Sequence, residues 1–130
     1  VPEEDVAWYF AAADVVAYPY THFAAQSAAA CMALTYGKAI VVTNIGGLPE
    51  LAGDASAVVE PNDSAQLAAA LVRVLTDVAY RTKLESRARA LSEQMSWPVV
   101  AQATAAVYAR LVQTDEQALA APSSATADSR

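Results

Sequence analysis

Gly37-Lys38-Ala39-Ile40-Val41-Val42-Thr43-Asn44-Ile45-Gly46-Gly47-Leu48-Pro49-Glu50 is the stretch that fixes the architecture of this chain. Ala39–Thr43 is continuously apolar and β-branched. That is the pattern of a strand covered on both faces, not of one with a wet side. Gly37 before it fits a helix stop. Asn44-Ile45-Gly46-Gly47 after it is a turn, and Leu48-Pro49-Glu50-Leu51 predicts one helical turn with proline near its start.

Upstream, Ala24–Tyr36 is alanine-rich with Cys31, Met32 and Leu34, and reads as a well-buried helix. Val15-Val16-Ala17-Tyr18 is a short apolar run stopped by Pro19, the length of a buried strand. Val6, Tyr9, Phe10 and Ala13 recur at helical spacing and end at Asp14. Downstream, Ala57-Val58-Val59 predicts a third strand closed by Pro61. Asp63 with Gln66 three residues on is a capping-box pattern. It opens a helix with Leu67, Leu71, Val74 and Leu75 in period. Tyr80, Leu84, Ala88, Leu91 and Met95 mark a second helix. Trp97, Val100, Thr104, Val107, Tyr108 and Leu111 mark a third, capped by Ser96 with Pro98 in its first turn. The order of elements predicts an α/β fold: a partial Rossmann-like parallel sheet with flanking helices and a helical C-terminus. One domain is expected over 1–113 and a disordered tail over 114–130, where the periodicity ends. A sheet of three short strands leaves backbone groups unpaired at its edge, so further strands are expected upstream of Val1. The chain also starts without Met, as expected of a piece of a longer product.

Composition narrows the function. The 130 residues carry a formal charge of −6, which argues against a nucleic-acid partner. No apolar run reaches the roughly 20 residues needed to cross a bilayer, and the first residues lack the features of a signal peptide. One cysteine, Cys31, excludes a disulfide framework and a cysteine zinc cluster. It reads as a small buried hydrophobe in a reducing cytoplasm.

Ligands of open parallel sheets bind where the strands end. Two loops qualify. The first, Tyr18–Ser27, runs into a helix N-terminus, whose free amides favour an anion such as a diphosphate. Gln26 and Ser27 could add donors there or simply cap the helix. His22, the one histidine, reads as a site residue or as a solvated loop group. The second loop, with Asn44, Gly46 and Gly47, either approaches a ligand closely or is a plain turn. Neither is a nucleotide fingerprint.

Taken in order and spacing, these segments resemble the end of the group 1 glycosyltransferases, retaining enzymes of the GT-B fold. Val1–Val16 resembles the helix and strand before the donor loop, and Tyr18-Pro19 the strand end that opens it. Gly37–Glu50 is similar to the family's most recognisable stretch. Val59–Asp63 and Met95-Ser96-Trp97 resemble its next and last segments. The resemblance covers Val1 to about Val112. It implies the donor-binding half-domain of a two-domain enzyme that moves a sugar from a nucleotide sugar to an acceptor hydroxyl, with retention and without a bound metal or other cofactor. Donor contacts are implied at His22, Phe23, Ala24, Ala25, Gln26, Ser27 and Met32, with Asn44, Gly46 and Gly47 as a second loop. The acceptor domain and the basic residues that grip the diphosphate are implied upstream of Val1. The isolated chain is therefore expected to be inactive. The whole enzyme is expected in the cytoplasm, with peripheral contact at the inner membrane face through the missing part.

The chain departs from the family pattern at one motif. Many members carry Glu-x7-Glu, and those positions are Ala24 and Met32 here. A minority branch has Gln-Ser-Gly in the loop, which Gln26-Ser27-Ala28 resembles. The alternative reading is a degenerate, non-catalytic binding domain of the same fold. A flavodoxin-like regulatory domain would need acidic residues at its first strand end and a complete sheet, and neither is present.

Overall fold

The structure, a computed structural model, describes residues 1–22 and 27–120, with side chains through 112. Two compact units emerge, Val1–Gln94 and Met95–Arg130.

In the first unit, a short 3-10 turn at Glu3–Asp5 leads into helix α1 (Val6–Ala12). Strand β1 (Val16–Tyr18) follows, then α2 (Ala28–Thr35), β2 (Ile40–Thr43) and α3 (Leu48–Ala52). A second 3-10 turn at Ala55–Ala57 precedes β3 (Val58–Val59), α4 (Ser64–Thr76) and α5 (Val78–Gln94). The three strands form a parallel sheet in the order β1-β2-β3, with Val16 opposite Ile40 and Val42 opposite Val58. This is the expected partial Rossmann-like α/β arrangement. All four residues of the central strand β2 are buried, which is why it could be read from its uninterrupted apolar run. Ala17 of the edge strand β1 is exposed.

Helices α2 and α3 pack on β2, α4 packs on β2 and β3, and α5 packs against α2, α3 and α4. Leu34, Leu48, Val41, Val42 and Val74 are the largest fully buried side chains. Each contributes roughly 1.5–3 kcal/mol relative to an exposed position. Several expected stripes shift in detail. On α4 the buried pair is Ala70 and Val74, while Leu75 is exposed. On α1 Phe10 turns inward to stack on Tyr36, with ring centroids 4.8 Å apart, whereas Tyr9 is exposed. Cys31 is half-buried rather than buried.

The caps explain where the helices stop. Gly37 adopts φ +64°, its amide donates to the Leu34 carbonyl, and the Lys38 amide donates to that of Ala33. This is a Schellman closure of α2, which a left-handed glycine makes possible. Asp63 caps α4 by accepting from the Gln66 amide at 2.8 Å. Gln66 does not return the bond to Asp63; its Oε1 accepts from the Glu60 amide at 3.1 Å. The capping box is thus opened by three residues, and it ties the end of β3 to α4. The second unit contains α6 (Trp97–Ala120), with Pro98 in its first turn and the Val100 amide donating to the Ser96 carbonyl. The helix runs past Gln113, where the domain was expected to end, and residues 121–130 lie outside the described residues.

Candidate functional site

Three strands running the same way place three loops at one side of the sheet. A small cavity of about 160 Å³ lies there. It is lined by Pro19 and Thr21 after β1, Thr43 at the end of β2, and Glu60, Asp63 and Ser64 around the start of α4. Ligand pockets usually hold about 300–1,000 Å³, so this cavity is large enough for part of a ligand, not for a nucleotide.

Thr43 holds the first loop in place. It is buried, and its hydroxyl donates to the Tyr20 carbonyl at 2.8 Å, with the Tyr18 carbonyl 3.3 Å away. Tyr18 is the last residue of β1 and is also buried. Its phenol donates to the Ala29 carbonyl, in the first turn of α2, at 2.6 Å. Burial, and then the nearby Tyr20 and Cys31, push this phenol up to about 12. It stays a proton donor at any physiological pH. The sequence marked both residues only as strand ends; their bonding roles were not legible, because these bonds join positions 11 to 25 residues apart.

Ser27 stands at the N-cap of α2, buried, and its Oγ accepts from the Ala30 amide at 3.2 Å. The Ala28 and Ala29 amides come before this bond in an exposed turn. As the first helical donors they have no intrahelical acceptor, and none is paired with them among the described residues. His22 is exposed and shares a hydrogen bond of 3.1 Å with Thr21. Phe23, Ala24, Ala25 and Gln26 lie outside the described residues.

Met32 is exposed and lines a second cavity of about 490 Å³, which it shares with Ala28 at the start of α2 and with Glu3, Val6 and Tyr36. Asn44 donates through Nδ2 to Glu60 Oε1 at 3.0 Å, and lines a third cavity with Pro49 and Asp54. Gly46 has φ +56°, a left-handed conformation that favours glycine, whereas Gly47, at the N-cap of α3, has φ −88°. The second loop is therefore a turn into α3 that also braces Glu60.

The electrostatics are uneven. Between Asp14 and Glu50 the only charged side chain is Lys38. Lys38 points away from the strand ends: its ammonium donates to the Ala11 and Ala13 carbonyls at 3.3 and 3.0 Å, closing the end of α1. The remaining cations of the unit are equally occupied. Arg73 lies 4.0 Å over the Tyr80 ring, and Arg81 meets Asp14 at 3.6 Å. Lys83 and Arg87 meet Asp54 at 2.9 and 3.1 Å. Arg87 also donates to the Gly53 carbonyl, and Arg89 meets Glu85 at 3.8 Å. Among the described residues no cluster of three or more His, Cys, Asp or Glu side chains could hold a metal.

The sequence pattern of the family described as Glycosyl transferases group 1 matches residues 1–77, more than half of the chain. This chain belongs to the group 1 glycosyltransferases. Curated relatives include the O-antigen chain mannosyltransferase B of Escherichia coli, 33% identical over 97 residues. That match covers 75% of this chain and 25% of the relative. The serotype-specific mannosyltransferase WbdA of Escherichia coli is 31% identical over 85 residues, which is 65% of this chain and 10% of the relative. The glycosyltransferase chain thus matches a quarter or less of the length of these relatives. No solved structure matches it. Among the described residues no helix is long and apolar enough to cross a membrane.

Proposed function

We propose that this chain is the donor-binding part of a retaining glycosyltransferase of the GT-B fold, moving a mannosyl group from a nucleotide-activated mannose to an acceptor hydroxyl. Membership of a glycosyltransferase family supports the transfer, and the two mannosyltransferase relatives support the sugar. The observation that carries the reading is the start of α2: the first two helical amides, of the exposed residues Ala28 and Ala29, beside a buried serine, in a stretch free of carboxylates. Charge builds on the diphosphate as its bond to the sugar breaks. Oriented amides that need no reorganisation stabilise that charge.

In this reading Ala28, Ala29 and Ser27 hold phosphate oxygens, joined by the amides of Phe23–Gln26 and by His22. The sugar hydroxyls face Glu60 and Asp63, whose carboxylates accept from hydroxyls and repel phosphate. The two sides are separated by two strand spacings, about 10 Å. Met32, Asn44, Gly46 and Gly47 take places around the donor rather than on its phosphates. No metal or other cofactor takes part in this reading, because the amides carry the charge. The acceptor domain, and any contact with the inner face of a membrane, belong to polypeptide beyond this chain, in a cytoplasmic enzyme. This chain alone is expected to transfer no sugar.

Calorimetric titration with UDP-, GDP- and ADP-mannose tests the reading. One of the three should bind, and the same nucleoside stripped of its diphosphate should not. Absence of heat with all three, or equal binding of the bare nucleoside, contradicts it. Ala24 and Met32, in place of the family's two glutamates, favour a second reading as a non-catalytic binding domain. Transfer of mannose by the longer protein containing this chain would exclude that reading.

A further inference from the structure

The phenol of Tyr18 and the hydroxyl of Ser27 touch opposite ends of one peptide group. Tyr18 donates to the carbonyl oxygen of Ala29, and the amide on the other side of that peptide bond, Ala30 N–H, donates to Ser27 Oγ. The two bonds run head to tail through that peptide group. A chain of hydrogen bonds polarises its members in turn: a carbonyl that accepts a bond makes its own N–H a better donor. A hydroxyl oxygen that accepts then donates its own proton more strongly. Ser27 is 4% exposed, so its hydroxyl is held at a fixed place beside the first turn of α2. Among the described residues no acceptor is paired with the hydroxyl proton.

We infer that Tyr18 is a positioning residue for the donor's diphosphate: through the Ala29–Ala30 peptide it orients and strengthens the Ser27 hydroxyl as a phosphate donor, while anchoring the first turn of α2 to the end of β1. This inference rests on the donor-binding reading above. Tyr18 touches no substrate. Its effect reaches the ligand through Ser27 and through the direction of the Ala28 and Ala29 amides. Thr43, which fixes the backbone on either side of Pro19, keeps the phenol in register with that helix.

The test is the affinity of the 130-residue chain for UDP, GDP and ADP, with inorganic pyrophosphate as an arm lacking a base and the three nucleosides as arms lacking phosphate. Tyr18→Phe keeps the ring and removes the first donor. It should weaken diphosphate and pyrophosphate binding about two- to fivefold and leave any nucleoside binding unchanged. In a Ser27→Ala background the same substitution should change nothing further, because the relay has lost its end. Site-specific 3-fluorotyrosine at position 18, a stronger donor of the same shape, should tighten pyrophosphate binding roughly 1.5- to twofold. It serves as the readout if Tyr18→Phe weakens the fold. If the unaltered chain binds no diphosphate, the donor-binding reading falls and the inference falls with it. If the unaltered chain binds but Tyr18→Phe and fluorotyrosine leave affinity unchanged, only the inference falls. Equal losses of nucleoside and diphosphate, or additive losses with Ser27→Ala, reduce Tyr18 to a structural role and also overturn it.

Discussion

The side of the sheet where the strands begin and the side where they end are built from different chemistry. At the beginnings, α5 lays its cations against the segments that lead into the strands. Arg81 reaches Asp14 before β1, Arg89 packs on Gly37 before β2, and Lys83 and Arg87 hold Gly53 and Asp54 before β3. At the ends there is no cation among the described residues. The polar groups described there are backbone amides, hydroxyls, the Asn44 and Asn62 carboxamides, the His22 imidazole and, over β3, two carboxylates. The contrast shows that a basic cluster in sequence need not be a ligand site. Arg73–Arg89 clamps the fold, and in the proposed reading uncharged backbone, not this cluster, holds the anion.

The largest expected effect that sharpens this contrast is at Gly37. Its φ is +64°, and an added Cβ would sit 2.7 Å from Arg89 Nε. Gly37→Ala should cost about 1–2 kcal/mol from the left-handed backbone alone, measured by urea unfolding, with the Arg89 side chain displaced. Asp54 comes next. Hydrogen bonding from Lys83, then from Ser56, holds its carboxyl well below the usual carboxylate range. Lys83 and Arg87 are about half exposed, so solvent screens the pair, and Asp54→Asn should cost about 1 kcal/mol at pH 7. A depressed carboxyl stabilises the fold above its unfolded value near 4 and loses that contribution as pH falls through the folded value. The difference between the variant and the unaltered chain should therefore hold from pH 5 to 8 and shrink below pH 4. Diphosphate affinity should not change, because Asp54 bonds to Lys83, Arg87 and Ser56 and not to the start of α2.

Tyr18 gives the opposite sign. Its phenol is raised, so its contribution is whole below about pH 10 and is lost as pH climbs toward 12. Tyr18→Phe should remove that alkaline step from a stability profile. The smallest expected effect is at Asn44, where Asn44→Ala frees Glu60 from one exposed bond. A change within about 0.5 kcal/mol is expected in thermal unfolding, and a larger one would mean that the second loop does more than brace.

How far the sequence could be read follows from the same contrast. The strands were legible because β2 is buried on both faces and therefore continuous, and Gly37 was legible because a Schellman cap needs glycine. The start of α2 was not legible, since alanine fits an inward and an outward face alike; Ala30 and Ala33 are buried while Ala28 and Ala29 are exposed. The clamps of α5 join positions 29 to 67 residues apart, and local pattern carries no trace of them. The candidate loop was found by its place after a strand. Its supports, Tyr18 and Thr43, act through bonds that only the folded backbone defines. Met32 was assigned to the donor site by resemblance, and with Ala28 it lines a cavity other than the one at the strand ends.

One measurement goes to the centre of this account: amide chemical shifts of the labelled chain during titration with GDP, UDP and ADP. The account predicts that the Ala28, Ala29 and Ala30 amides move together and saturate with at least one of the three, while residues 81–89 stay still. Shifts concentrated at Lys83, Arg87 and Arg89, with α2 unmoved, would contradict it.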